Sequence, residues 1–179
     1  TLGETLQVAP MRICAYCVLP NHWHFLLWPE HDGDLARFMQ RLTITHVRRW
    51  QEHRHYVGLG HVYQGRYKSF PVEEDEHFLA VARYVERNAL RANLVDRAEQ
   101  WQWGSLWRRC RDGANKDAVL TACPVELPPD WVERVNRADN EKELESLRRS
   151  VCRGRPFGTP DWQRRIAKRL GLESAYRPA

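Results

Sequence analysis

The run from Met11 to Trp28 leaves this chain little freedom in how it can fold. Met11–Leu19 is rich in residues that suit a pleated surface, Pro20-Asn21 supplies a tight turn, and His22–Trp28 returns as the second arm of a hairpin. Side chains alternate along a strand, so His22, His24, Leu26 and Trp28 share one face and Trp23, Phe25 and Leu27 the other. Both faces are largely apolar, which predicts an interior strand covered at least partly on both sides. Two imidazoles on one face of rigid backbone are one way to present nitrogen ligands to a divalent metal. A pair of structural histidines fits the same spacing.

The 179 residues of the chain allow one domain with a proper core, or one domain and a helical appendage. A formal net charge of +5 favours a polyanionic partner. Eight tryptophans can serve a core or stack on bases. No apolar stretch approaches the ~18–20 residues that span a bilayer. Cys14 and Cys17 read as CxxC, but a separation of three on a strand predicts opposite faces, and no second CxxC follows. They are read as buried reduced thiols of a cytoplasmic protein. The chain begins at Thr1 and enters structure at once, with Thr1–Val8 read as the end of a helix closed by Pro10, so an N-terminal portion is expected to be missing.

Pro29–Gly33 reads as a loop, with Asp32 or Asp34 available to cap the following helix. Leu35, Phe38, Met39, Leu42, His46, Trp50 and His53 then recur at helical spacing. His46 and His53 are read as packing or solvated histidines. Gly58 and Gly60 break that helix, and His61–Val72 reads as a third strand. On it Gln64, Arg66 and Lys68 alternate with Tyr63, Gly65 and Tyr67. That pattern suits nucleic-acid contact and equally suits an ordinary edge strand guarded by cations.

Asp75 to about Ala92 forms a second clear helix, with Phe78, Val81, Ala82, Val85 and Ala89 as its buried stripe. A neighbouring stripe holds His77, Tyr84, Asn88 and Arg91, and Tyr84 and Asn88 are i, i+4 partners. Taken on the helix alone, they fit a core-margin tyrosine satisfied by an asparagine. Trp101 to Trp107 is an aromatic cluster that seals the core. Lys116–Trp131 is the linker candidate, Glu141–Val151 and Pro160–Leu170 are helices, and the tail from Arg148 to Arg177 is strongly basic. The expected division is a catalytic domain over 1–115 and a linker with a helical basic region over 116–179.

If the histidine pair and the later helix face one another, His22, His24 and Asn88 could hold Mg²⁺ or Mn²⁺ in an open site, and Tyr84 could attack a phosphate polarised by the metal. The segments Pro20-Asn21-His22-Trp23-His24, Tyr63-Gln64-Gly65-Arg66-Tyr67-Lys68-Ser69, Arg83-Tyr84-Val85-Glu86-Arg87-Asn88 and Arg91-Ala92-Asn93-Leu94-Val95 resemble, in order, the single-tyrosine HUH transposases. Among these the resemblance is to the REP-associated tyrosine transposases.

The resemblance implies an α+β ferredoxin-like or RRM-like sandwich, an antiparallel sheet with helices, here lacking its first strand. It implies His22, His24 and Asn88 as metal ligands and Tyr84 as the nucleophile. The family cuts single-stranded DNA at the foot of imperfect hairpins, leaving a 5′-phosphotyrosine and a free 3′-OH. Gln64, Arg66, Lys68, Arg91, Arg153 and Arg155 are the expected DNA-binding residues, with a nucleoid-associated location. Monomer and homodimer both fit, the monomer better. Ala89 stands where the family usually has proline. A non-catalytic nucleic-acid-binding protein on the same fold, or a phosphodiesterase using water in place of Tyr84, are the rival readings.

Overall fold

A computed structural model of the chain describes residues 1–55, 60–112 and 119–176. Gly58, the first residues of the expected linker and Arg177 lie outside the described residues. The hairpin forms as predicted: β1 (Arg12–Val18) and β2 (Trp23–Trp28) pair antiparallel, with Cys17 opposite His24 and Tyr16 opposite Phe25. One face of the sheet is covered by α1 (Leu2–Val8) and α2 (Asp34–Arg54). There Ile13 and Tyr16 pack with Phe38, Met39 and Leu42, and Trp23, Phe25 and Leu27 close the rim. The other face is covered by α3 (Glu76–Glu86), whose Phe78, Val81, Ala82 and Val85 bury against Ala15, Cys17 and Leu26. The two-sided burial expected of His22–Trp28 is therefore present.

The register skips at Cys14, a β-bulge between Ile13 and Ala15. The extra residue resets the alternation, so Cys14 and Cys17 enter the same core, not opposite faces. Both are free and fully buried. The N-cap of α2 also differs from expectation: Gly33, at φ 85°, takes the position, and Asp34 Oδ2 accepts from His31 N at 2.8 Å.

The expected third strand over His61–Val72 does not form. Among the described residues the sheet has two strands, and the stretch is irregular up to one bridge between Val72 and Phe157. An alternating pattern makes a strand only where a neighbour offers a ladder. The outer edge of β1 is taken by other segments: Val18 N donates to Trp103 O at 3.0 Å, Tyr16 N to Ser105 Oγ at 3.0 Å, and Thr121 N to Ile13 O at 2.9 Å. The ferredoxin-like sheet is thus represented, among the described residues, by a single hairpin in a mixed α+β fold.

After α3 the chain makes α4 (Asn88–Arg91), α5 (Ser105–Asp112), α6 (Trp131–Asn136), α7 (Glu141–Arg153) and α8 (Pro160–Leu170). The helix expected over Asp75–Ala92 is therefore two helices meeting at Arg87. Trp131, Val135, Leu147 and Phe157 join the core beneath α3, so one core runs across residues 1–115 and 116–179. Among the described residues no helix is long and apolar enough to cross a membrane.

Candidate active site

What fixes the site is the rotation of α3. Asp75 caps its start by accepting from His77 N at 2.8 Å. Near its end Glu86 points inward with a fully buried side chain. Its Oε1 accepts from Ser105 Oγ at 2.6 Å and Arg109 Nε at 3.0 Å, and its Oε2 from Trp131 Nε1 at 2.7 Å. Arg109 also donates to Cys14 O, so the buried charge is tied to the bulge of β1. Arg83, Arg87 and Arg91, each four residues on from the last, all reach Asp139, at 3.5, 3.2 and 3.0 Å. Arg83 and Arg87 also donate to Arg134 O, Val135 O and Asn136 O, satisfying the open carbonyls of α6. Burial works against the Asp139 carboxylate, yet the hydrogen bond from Arg91 and the three guanidinium charges hold it below the ordinary range.

With the core face and the arginine face so engaged, Tyr84 is left on the flank of α3 that meets β2. Its ring lies edge-on to His24, centroids 5.7 Å apart at 90°. The His22 and His24 rings are 5.0 Å apart at 83°. Asn88 is buried, and its Nδ2 donates to Tyr84 O at 3.2 Å. The Arg91 guanidinium stands 4.3 Å from the centroid of the Tyr84 ring. His22, His24, Tyr84, Asn88 and Arg91 are therefore linked by contact within one chain.

The donor chemistry fits a divalent cation. Burial, and after it the neighbouring His22 and Arg91, pushes the His24 imidazole down to about 4, so it is neutral near pH 7, the form that ligates. His22 Nδ1 is tied to Asn21 Oδ1 at 2.6 Å, leaving Nε2 as its second nitrogen. The Asn88 bond to Tyr84 uses the amide nitrogen and leaves the carbonyl oxygen as the ligating end. Two imidazole nitrogens and an amide oxygen are donors that a divalent cation accepts.

A groove of about 990 Å³ opens beside the site along β2. It is lined by His24 and Tyr84, by Lys68 and Phe70, and by Trp162 and Arg169 of α8. Of the remaining expected DNA-binding residues, Gln64 and Arg66 are exposed on the irregular segment outside this groove, and Arg153 is exposed at the end of α7. Arg155 is occupied: it donates to Ala175 O at 2.9 Å and lies 4.4 Å from the Tyr176 ring. His46 packs as expected, its Nδ1 at 2.8 Å from Tyr63 Oη.

Sequence reasoning did not single out Glu86, Arg109 or Asp139. Glu86 carried a signal, since it falls among the apolar positions of the α3 stripe. Nor did it bring Glu73 together with Asp75 and His77, whose ligand atoms lie within 4.8 Å of one another, a spacing a divalent cation can bridge. Each already has a structural partner: Glu73 accepts from Thr159 N at 2.6 Å, and Asp75 Oδ1 meets His77 Nδ1 at 2.8 Å.

Residues 2–88 match the family described as "Transposase IS200 like". This part of the chain belongs to the IS200-like transposase family. The matched stretch of the IS200-like domain contains His22, His24 and Tyr84 and ends on Asn88, whereas Arg91, Arg153 and Arg155 lie beyond it. Membership makes DNA processing of the transposase type its class of function. No curated protein and no solved structure matches the chain.

Proposed function

We propose that this IS200-like domain nicks and rejoins single-stranded DNA at hairpins, as a REP-associated tyrosine transposase does, through a covalent link to Tyr84. The observation that carries the reading is the 5.7 Å approach of the Tyr84 ring to His24 within one chain. The Tyr84 oxygen attacks phosphorus, the bond from phosphorus to the 3′-oxygen breaks, and that oxygen leaves with a proton as a free 3′-OH. The product on the protein is a 5′-phosphotyrosine, which keeps the energy of the phosphodiester for rejoining. His22, His24 and the Asn88 carbonyl would hold Mg²⁺ or Mn²⁺, which supplies positive charge to the phosphate under attack. Residues 1–115 supply the chemistry, and 116–179 contribute α8 to the lining of the groove. Lys68 and Arg169, on that groove, are the cations best placed to follow a single strand, with Arg66, Gln64 and Arg153 outside it.

The test is incubation with a synthetic single strand bearing a GC-rich imperfect hairpin, with Mn²⁺ and with EDTA. A denaturation-resistant protein–DNA adduct is expected with Mn²⁺, absent with EDTA and absent in His24→Ala. An adduct that persists in Tyr84→Phe would overturn the assignment. Hairpin binding unaffected by His24→Ala, with no cutting, would favour a non-catalytic binding protein. Metal-dependent cutting without an adduct would favour attack by water.

A further inference from the structure

Arg91 is bonded on every side but one. Its Nε donates to Asp139 Oδ2 at 3.0 Å and its Nη1 to Tyr84 O at 3.4 Å, while the guanidinium face lies against the Tyr84 ring, 4.3 Å from the centroid. Its Nη2 is buried and has no hydrogen-bond partner among the described residues. A buried guanidinium N–H without an acceptor is uncommon, because the desolvated donor recovers nothing for the water it has lost. Here it belongs to a side chain that Asp139 holds in place, at the one tyrosine to which the proposed chemistry assigns the attack. The Tyr84 ring lies 4.3 Å from this guanidinium, so an acceptor that reaches Nη2 comes to rest beside Tyr84. A phosphate oxygen is the acceptor that suits a forked, permanently charged donor.

We infer that Arg91 is the phosphate-binding residue of the Tyr84 site: its Nη2 takes an oxygen of the phosphodiester that Tyr84 attacks, while Asp139 and the Tyr84 carbonyl hold the other arms. This rests on the proposed nicking reaction and adds to it the group that receives the reacting phosphate. Arg91 then positions the phosphate and carries part of its charge. Arg83 and Arg87, on the same face of the helix pair, have their donors turned to α6 and Asp139 and take no part.

The experiment is a binding cycle that needs no turnover. Tyr84→Phe protein, with and without Arg91→Gln, is titrated with the same hairpin strand carrying one methylphosphonate at a time at each linkage around the hairpin foot. A methylphosphonate removes a single charge, so a side chain that contacts that phosphate loses nothing further when it is replaced. At one linkage the losses from Arg91→Gln and from the methylphosphonate are expected to be non-additive, and the salt slope to fall by about 0.7 in either single change but no further in both. Asp139→Asn, which removes the tether and leaves the charge, should retain that coupling, and Arg91→Lys should retain part of the affinity. Additive losses at every linkage, or an unchanged salt slope, would overturn the inference. The linkage that couples should also be the one joined to Tyr84 in the parent protein. Coupling without an adduct would leave the phosphate site standing and refute the nicking reaction; an adduct without coupling would do the reverse.

Discussion

Asp139 is the residue on which the orientation of the Tyr84 helix turns, because it gathers three arginines spaced four apart along α3 and α4. Its carboxyl is held below the usual range, so the proton is bound more readily by the unfolded chain. The stability it contributes is therefore complete above the ordinary carboxylate value near ~3.9 and is lost as pH falls through the lower folded value. Melting temperature followed from about pH 6 to about pH 2.5 should drop more steeply for the parent than for Asp139→Asn, whose acid limb should be flatter. Parallel curves would show that the three ion pairs do not couple to folding. At the same scale, Tyr84→Phe should leave the melting temperature nearly unchanged, since no hydrogen bond of the Tyr84 hydroxyl holds the fold among the described residues.

At the scale of elements, the hairpin and the helices were legible because each writes its own period into the sequence. The alternation of His22–Trp28 and the apolar stripe of Phe78, Val81, Ala82, Val85 and Ala89 both carried through to packing. The pair His22 and His24, and Tyr84 with Asn88, were found by spacing, and their meeting across β2 and α3 came only with the fold. Three things were not legible, each for a physical reason. A β-bulge adds one residue without a local mark, so the faces of Cys14 and Cys17 were misjudged. The alternating stretch 61–72 had the pattern of a strand without a ladder partner. The service of Arg83, Arg87 and Arg155 to distant carbonyls depends on segments some 20 to 55 residues away, which no local period reveals. The same long-range dependence makes Glu86 the most sensitive point of α3. Glu86→Ala strips the partly buried Arg109 of its counter-charge and leaves its donors and those of Ser105 and Trp131 without their acceptor, which should cost about 3–5 kcal/mol in urea or thermal unfolding. A loss within the range of a surface change, below about 0.5 kcal/mol, would mean the network relaxes onto water.

Across the whole molecule, the C-terminal part packs against the face that carries the candidate site. Phe157 bridges Val72, Glu73 accepts from Thr159 N at 2.6 Å, and α8 lines the groove beside Tyr84. Gly158 is the tightest point of that closure: a Cβ there would stand 2.8 Å from Glu73 Cβ and 2.6 Å from the Trp162 ring. Gly158→Ala should therefore cost about 1–3 kcal/mol of stability and weaken single-strand binding by displacing α8. Unchanged binding at reduced stability would separate the groove from DNA contact.

In the proposed reaction Tyr84 itself becomes joined to the 5′-phosphate of the cut strand. Trypsin cleaves after Arg83 and Arg87, so the joined residue falls in the peptide Tyr84-Val85-Glu86-Arg87. Digestion of the Mn²⁺-dependent adduct with nuclease and trypsin, followed by mass spectrometry, should find that peptide carrying one nucleotide through the tyrosine. A nucleotide on any other residue, or cut strands with no modified peptide, would rule out Tyr84 as the nucleophile.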